Sequence, residues 1–195
     1  MVSSRPPSSG EGEAADLIPE LLDSREVFRG RVINLRVDEI ALSGGRTTTR
    51  EVVEYPGAVV IIAAGSEDEV YLVRQWRHAI SQFLLEFPAG GLEPGEEPLF
   101  AAKRELREEA GLEAARWTSL GHFFSSPGFA NEILHIFLAE DPSPVDADPD
   151  DDEDLQVVRY TLSGLYEHPE QLEDAKSLAA LLLLQKARGG IQSQR

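Results

Sequence analysis

The sequence predicts an α/β fold, on three observations. Short β-prone segments recur along most of the chain, one helical segment interrupts them near the middle, and a second closes the chain. The clearest strand is Ala58–Ala64, a continuous apolar run rich in β-branched residues, which reads as buried and central. The clearest helix starts at Pro98, where the first turn tolerates proline, and stops at Gly111.

Residues 1–15 are rich in Ser, Pro and Gly, carry no hydrophobic pattern and read as a disordered tail. Asp16–Ser24 is expected to hold a helical turn. Phe28–Leu42 alternates in a way that suits two strands of a hairpin or one bent strand. Ser43-Gly44-Gly45 reads as a turn, Thr47–Glu54 as a further strand, and Pro56-Gly57 ends it. Gly65–Glu69 is a charged turn between Ala58–Ala64 and the next strand, Val70–Trp76; Phe83–Phe87 is another. After the central helix come strands at Arg116–Phe124 and Ile133–Ala139, then the most acidic stretch, Glu140–Asp154. Leu155–Leu162 is the final strand, Ser163–Glu167 a short helix, and Leu172–Ala187 a helix with a leucine run.

Composition narrows the class. A chain of 195 residues, 42% hydrophobic, can bury a real core, with one domain as the default. Cysteine is absent, which excludes disulfides, thiol chemistry and a thiolate metal site, and suits a cytoplasmic protein. No apolar run is long enough for a membrane span, and the N-terminus lacks the apolar region of a secretory signal. The net charge of −17 argues against nonspecific binding to nucleic acid or anionic lipid. A polyanionic substrate would also be repelled, so it would require metal ions and a few placed arginines.

The central helix carries the chemistry. Leu99, Ala102, Leu106 and Ala110 recur at helical spacing and predict its apolar face. Glu105, Glu108 and Glu109 stand at i, i+3 and i+4 and project from one side. Like charges at that spacing weaken a helix by roughly 0.2–0.5 kcal/mol per pair. A hard divalent cation would offset the repulsion and share its shell with phosphate. A solvated acidic face beside Arg104 and Arg107 is the competing reading, and the bare spacing favours it.

The surrounding stretch reverses that weighting. Gly90, Glu96, Arg104, Glu105, Leu106, Glu108, Glu109, Gly111 and Leu112 fill every specified position of G-x5-E-x7-R-E-U-x-E-E-x-G-U, with U a bulky aliphatic. This resembles the box of the Nudix hydrolases, which cleave nucleoside diphosphates linked to another group using Mg²⁺ or Mn²⁺. The resemblance implies an α/β/α sandwich with a mixed central sheet and a small N-terminal antiparallel sheet. Residues 57–190 would be the Nudix domain. Residues 16–56 would supply N-terminal strands on the dimerisation and substrate side of a homodimer.

Segments outside the box resemble the ADP-ribose pyrophosphatase subfamily. They are Arg74-Gln75-Trp76-Arg77, Leu85-Glu86-Phe87-Pro88-Ala89-Gly90, and Ser125-Ser126-Pro127-Gly128-Phe129 with Glu132 after it. Pro127, fifteen residues beyond Leu112, matches the subfamily's marker proline. Arg50-Glu51 resembles a pair on the adenosine side. The resemblance implies that Glu105, Glu108 and Glu109 hold the ions, joined by the backbone carbonyl of Ala89. Arg104 would orient the carboxylates, with Glu96 as structural support paired to it. Arg50, Glu51, Arg77, Ser126, Gly128 and Glu132 would bind substrate. The general base would come from the acidic stretch, with Glu153 first and Asp151 second. An EF-hand reading of that stretch fails, because Asp151 and Val157 stand where glycine and the closing glutamate are required. His78, His122, His135 and His168 show no metal-ligand spacing. The expected reaction is hydrolysis of ADP-ribose to AMP and ribose 5-phosphate. The alternatives are another ADP-sugar or dinucleotide as substrate, and a noncatalytic nucleotide-binding regulator.

Overall fold

The structure, a computed structural model, describes residues 17–66, 68–145 and 155–189. The expected tail 1–15 and the acidic candidates Asp151 and Glu153 lie outside the described residues. The chain divides into two compact units. One holds the N-terminal strands as far as Tyr55 together with Ser126–Asn131, and the other holds Pro56–Ser125 and the chain from Glu132 onward.

The first unit is a three-stranded antiparallel sheet in the order β1 (Glu20–Arg29), β2 (Asn34–Ala41), β3 (Thr47–Glu54). The turn at Ser43-Gly44-Gly45 joins the last two strands. The helical turn expected within Asp16–Ser24 is absent from the described part of that segment: Glu20–Ser24 opens β1. Its register against β2, from Glu20 opposite Ala41 to Arg29 opposite Asn34, outweighs a weak local helical preference. The segment Ser126–Asn131 is stitched to β3. Val53 donates its N–H to the Phe129 carbonyl (2.8 Å), and Asn131 donates to the Val53 carbonyl (3.2 Å). Tyr55 N–H donates to the Asn131 side-chain oxygen at 3.0 Å.

The second unit is built on a seven-stranded mixed sheet. Its path runs β10 (Leu155–Thr161), β5 (Glu69–Arg77), β4 (Ala58–Ala64), β9 (Ile133–Pro144), β8 (Leu112–Phe124). β6 (Gln82–Glu86) pairs with β5, and β7 (Ala89–Gly91) pairs with β4. Among the described strands of this sheet only β4 and β9 pair in parallel. Every residue of β4 is buried, as its unbroken apolar run predicts for a strand covered on both faces. Helix α1 (Pro98–Ala110) packs on the face carrying Val59, Ile61, Ala63, Phe137 and Ala139. The short helix α2 (Leu162–Glu167) follows β10, and α3 (Ala175–Ala187) packs against β4, β8 and β9. The fold class is the expected one. Boundaries that differ from expectation include three: β8 begins at Leu112, β9 continues through Glu140–Pro144, and the last helix starts at Ala175 rather than Leu172. Pairing such as Leu112 opposite Pro144 carries the opening of the acidic stretch into the sheet. No described helix is long and apolar enough to cross a membrane.

Candidate active site

α1 is set by its ends. Pro98 needs no N–H partner in the first turn. Gly111 takes the left-handed conformation (φ 61°, ψ 38°) and donates its N–H to the Arg107 carbonyl at 3.0 Å. The buried residues are Ala101, Ala102, Glu105, Leu106 and Glu109. The inward face is therefore turned from the predicted stripe. Leu99 is exposed and Ala110 half-buried, while two carboxylates of the box face inward.

Buried carboxylates require partners, and Arg104 supplies one to Glu105 while also binding the half-buried Glu96 and Glu108. Its Nε and one terminal nitrogen donate to the two oxygens of Glu96 (3.1 and 3.0 Å). Its other terminal nitrogen donates to Glu105 (2.7 Å) and Glu108 (2.8 Å). A further bond runs to the Gly91 carbonyl at 3.0 Å. These bonds use all five guanidinium N–H groups, so Arg104 has no donor left for a phosphate. Glu96 is fixed in turn: its carboxylate accepts the Glu93 N–H at 3.0 Å. The Glu96 hydrogen bonds raise the Arg104 pKa, and the guanidinium holds Glu96 below the usual carboxylate range. Glu109 accepts the Ala89 N–H at 2.8 Å, tying helix to loop. Gly90 is required between them, because a Cβ there would overlap the Glu105 carboxylate.

A second cluster, which the sequence reading did not assign, supports the loop before the box. Glu86, at the end of β6 and 1% exposed, is bound by Arg77 through two nitrogens, Nε at 2.8 Å. Lys176 of α3 donates to the same carboxylate and to Asp174 at 3.0 Å. Burial pushes the Glu86 pKa up, but the Arg77 bond and the Lys176 charge outweigh it and hold it below the usual range. Ser177 Oγ accepts the Phe87 N–H at 3.1 Å, so the first turn of α3 grips the strand end that leads to Ala89. Glu86 was visible in the sequence as the acid of L-E-x-P-A-G; its α3 partner lies ninety residues away.

The other candidate residues divide between the units. Arg77 and Glu132 belong to the second unit, with Ala89 and the α1 residues. The Glu132 carbonyl accepts the Ser125 N–H at 3.2 Å. Arg50, Glu51, Ser126 and Gly128 belong to the first. Arg50 and Glu51 are exposed and consecutive in β3, so they lie on opposite faces of that sheet. Ser126 offers its carbonyl to the Phe129 and Ala130 N–H groups (3.1 and 2.9 Å), and the space beside Gly128 is open.

The donor set suits a hard divalent ion. Glu105, Glu108 and Glu109 offer only oxygen, and the first two converge on one nitrogen that a guanidinium holds in place. Among the described residues no three His, Cys, Asp or Glu side chains form a ready-made cage.

Comparison with known proteins gives the family. Residues 54–181 match the NUDIX domain. The chain belongs to the Nudix family. Residues 20–53 of this Nudix protein match the nucleoside diphosphate sugar hydrolase N-terminal domain. An ADP-ribose pyrophosphatase of Bacillus subtilis (strain 168) is 40% identical over 174 residues, covering 87% of this chain and 94% of that one. A methanol dehydrogenase activator of Bacillus methanolicus is 38% identical over 168 residues, covering 84% and 91%. A solved ADP compounds hydrolase structure superposes with a TM-score of 0.78 at 27% identity, over 89% of this chain and 97% of that one.

Proposed function

We propose that this Nudix hydrolase splits the diphosphate of ADP-ribose into AMP and ribose 5-phosphate, with Mg²⁺ or Mn²⁺. The observation that carries the chemistry is Arg104, whose five donors are all spent on Glu96, Glu105, Glu108 and Gly91. A cation devoted wholly to arranging carboxylates suits a site made for metal rather than direct arginine–phosphate contact. The similarity to an ADP-ribose pyrophosphatase over 87% of this chain supports the substrate.

The diphosphate resists water because its oxygens are negative. A divalent ion supplies charge neutralisation and a more acidic water. Glu105, Glu108 and Glu109 would hold it, with the Ala89 carbonyl. Arg104 keeps the carboxylates from splaying, and the Ala89 N–H fixes Glu109. Arg77, steered by Glu86, places a positive charge for the phosphates. Glu153 takes the proton from water as the water oxygen bonds to phosphorus and the bridging P–O bond breaks. Ser126, Gly128 and Glu132 line the substrate, and Arg50 and Glu51 serve its adenosine side. Since Arg50 and Glu51 lie on opposite faces of one sheet, a homodimer lets each face serve a different site. The exposed apolar residues Leu21, Leu22, Val27 and Phe28 of β1 support association through that strand.

The test is AMP release from ADP-ribose by the purified protein, with Mg²⁺ and with chelator, beside ADP-glucose, diadenosine diphosphate and NADH. Metal-dependent release from ADP-ribose in preference to the others is expected. Preference for another compound would keep the mechanism and replace the substrate, a reading that the ADP compounds hydrolase neighbour favours. Tight ADP-ribose binding without any turnover would instead indicate a regulator.

A further inference from the structure

His122 and His135 are thirteen positions apart and form no motif in the sequence. The antiparallel register of β8 and β9 sets them directly opposite each other. Their ring centroids are 5.7 Å apart with planes inclined at 43°. His122 is exposed and His135 half-buried, so the gap between the rings is reachable from solvent. We infer that this pair is a two-imidazole site for a borderline transition-metal ion such as Zn²⁺, Ni²⁺ or Cu²⁺, distinct from the carboxylate site on α1.

Distance and chemistry both favour it. Imidazole nitrogens bind zinc at about 2.0–2.1 Å, which puts the centres of two rings on one tetrahedral ion about 5 Å apart. The observed separation of 5.7 Å lies close to that value. Nitrogen donors suit Zn²⁺, Ni²⁺ and Cu²⁺, whereas the all-oxygen set on α1 suits Mg²⁺ and Mn²⁺. The two sites would thus sort ions by donor type. Burial and the neighbouring His122 both push the His135 pKa down, which favours the neutral ring that ligates metal. The net charge of −17 raises the local concentration of cations. On the far side of His135 the sheet neighbour is Val59, which offers no donor. Among the described residues no third ligand joins the pair, so water would complete the shell.

The location gives such an ion a consequence. Just beyond the pair, Phe124 sits opposite Ile133 and the Ser125 N–H meets the Glu132 carbonyl. The ion would pin the two strands at the neck of the connection that carries Ser126, Gly128 and Glu132. Cross-links that close a loop reduce its freedom.

The experiment is calorimetric titration of Ni²⁺ into the full chain with Mg²⁺ in large excess to fill the oxygen site. It is paired with EPR of bound Cu²⁺ to detect imidazole nitrogen. One strong Ni²⁺ equivalent per chain is expected, weakened roughly tenfold or more in both His122→Gln and His135→Gln. The Cu²⁺ spectrum should show two coupled nitrogens, with one lost in each variant. Should His135→Gln fold poorly by circular dichroism, the exposed His122→Gln decides alone. Equal Ni²⁺ affinity in wild type and variants, or no strong binding at all, would overturn the site.

Discussion

On α1 the inward-facing carboxylates are met by hydrogen-bond donors; along β1 large apolar side chains face solvent. Glu105 is held by Arg104 and Glu109 by the Ala89 N–H. Every residue of β1 is exposed, including Leu21, Val27 and Phe28. The first element is polar and locally complete. Its hydrogen bonds close inside one short stretch of chain, and its carboxylates still outnumber its cations, so what it suits is a further cation. The second is paired with β2 yet leaves apolar surface uncovered, and what it suits is a protein surface. One chain therefore carries a centre specified by short-range chemistry and a strand with exposed apolar side chains, on which the proposed self-association rests.

The sharpest way to break this contrast is Glu109→Gln. The amide oxygen can still accept the Ala89 N–H, so the fold should hold by circular dichroism. Turnover should fall by about three orders of magnitude, because one anionic ligand is gone. Survival of activity within a few-fold would remove Glu109 from the metal site. Arg104→Met attacks the same centre from the other side. Glu105 and Glu108 lose their shared cation, and activity or metal affinity should drop roughly 10–100-fold, with Mn²⁺ titration as the check. Phe28→Glu probes the other region. It should weaken self-association roughly tenfold or more by sedimentation, while leaving the metal affinity of α1 unchanged. Fully monomeric wild type at all concentrations would show that β1 is covered in some other way.

The smallest effect concerns acid. Glu96 and Glu86 both have pKa values held below the ordinary carboxylate range in the folded protein. Their contribution is present above the unfolded carboxylate value and is lost as pH falls through the folded one. The melting temperature should therefore decline below about pH 4.5. Glu96→Gln should flatten that decline, and an unchanged acid profile would show that the Arg104–Glu96 pair adds little stability.

What the sequence could reveal followed the range of the interactions. Ala58–Ala64, the helix from Pro98 and its stop at Gly111 were legible because each depends on a few neighbouring residues. The Arg104–Glu96 pair was within reach for the same reason, since the partners lie eight residues apart. Glu86 was harder: it is the one charge in a strand otherwise read as apolar, and its Lys176 partner comes from α3. The His122–His135 pair was invisible, because only the β8–β9 register creates it. The start of β1 at Glu20 was missed for the same cause, since β2 rather than local propensity dictates its conformation. Spacing alone places Leu99 in the core, yet it is exposed. The actual face turned toward Glu105 and Glu109, because Arg104 and the Ala89 N–H satisfy those carboxylates there.

The role of α1 is tested most directly by adding Mn²⁺ to the wild-type protein, following bound ion by EPR and AMP release from ADP-ribose in parallel. AMP release should rise in step with bound Mn²⁺ and vanish with chelator, and Glu109→Gln should lose both together. AMP release that persists in chelator, or that is indifferent to the amount of Mn²⁺ bound, would contradict a metal centre built on Glu105, Glu108 and Glu109.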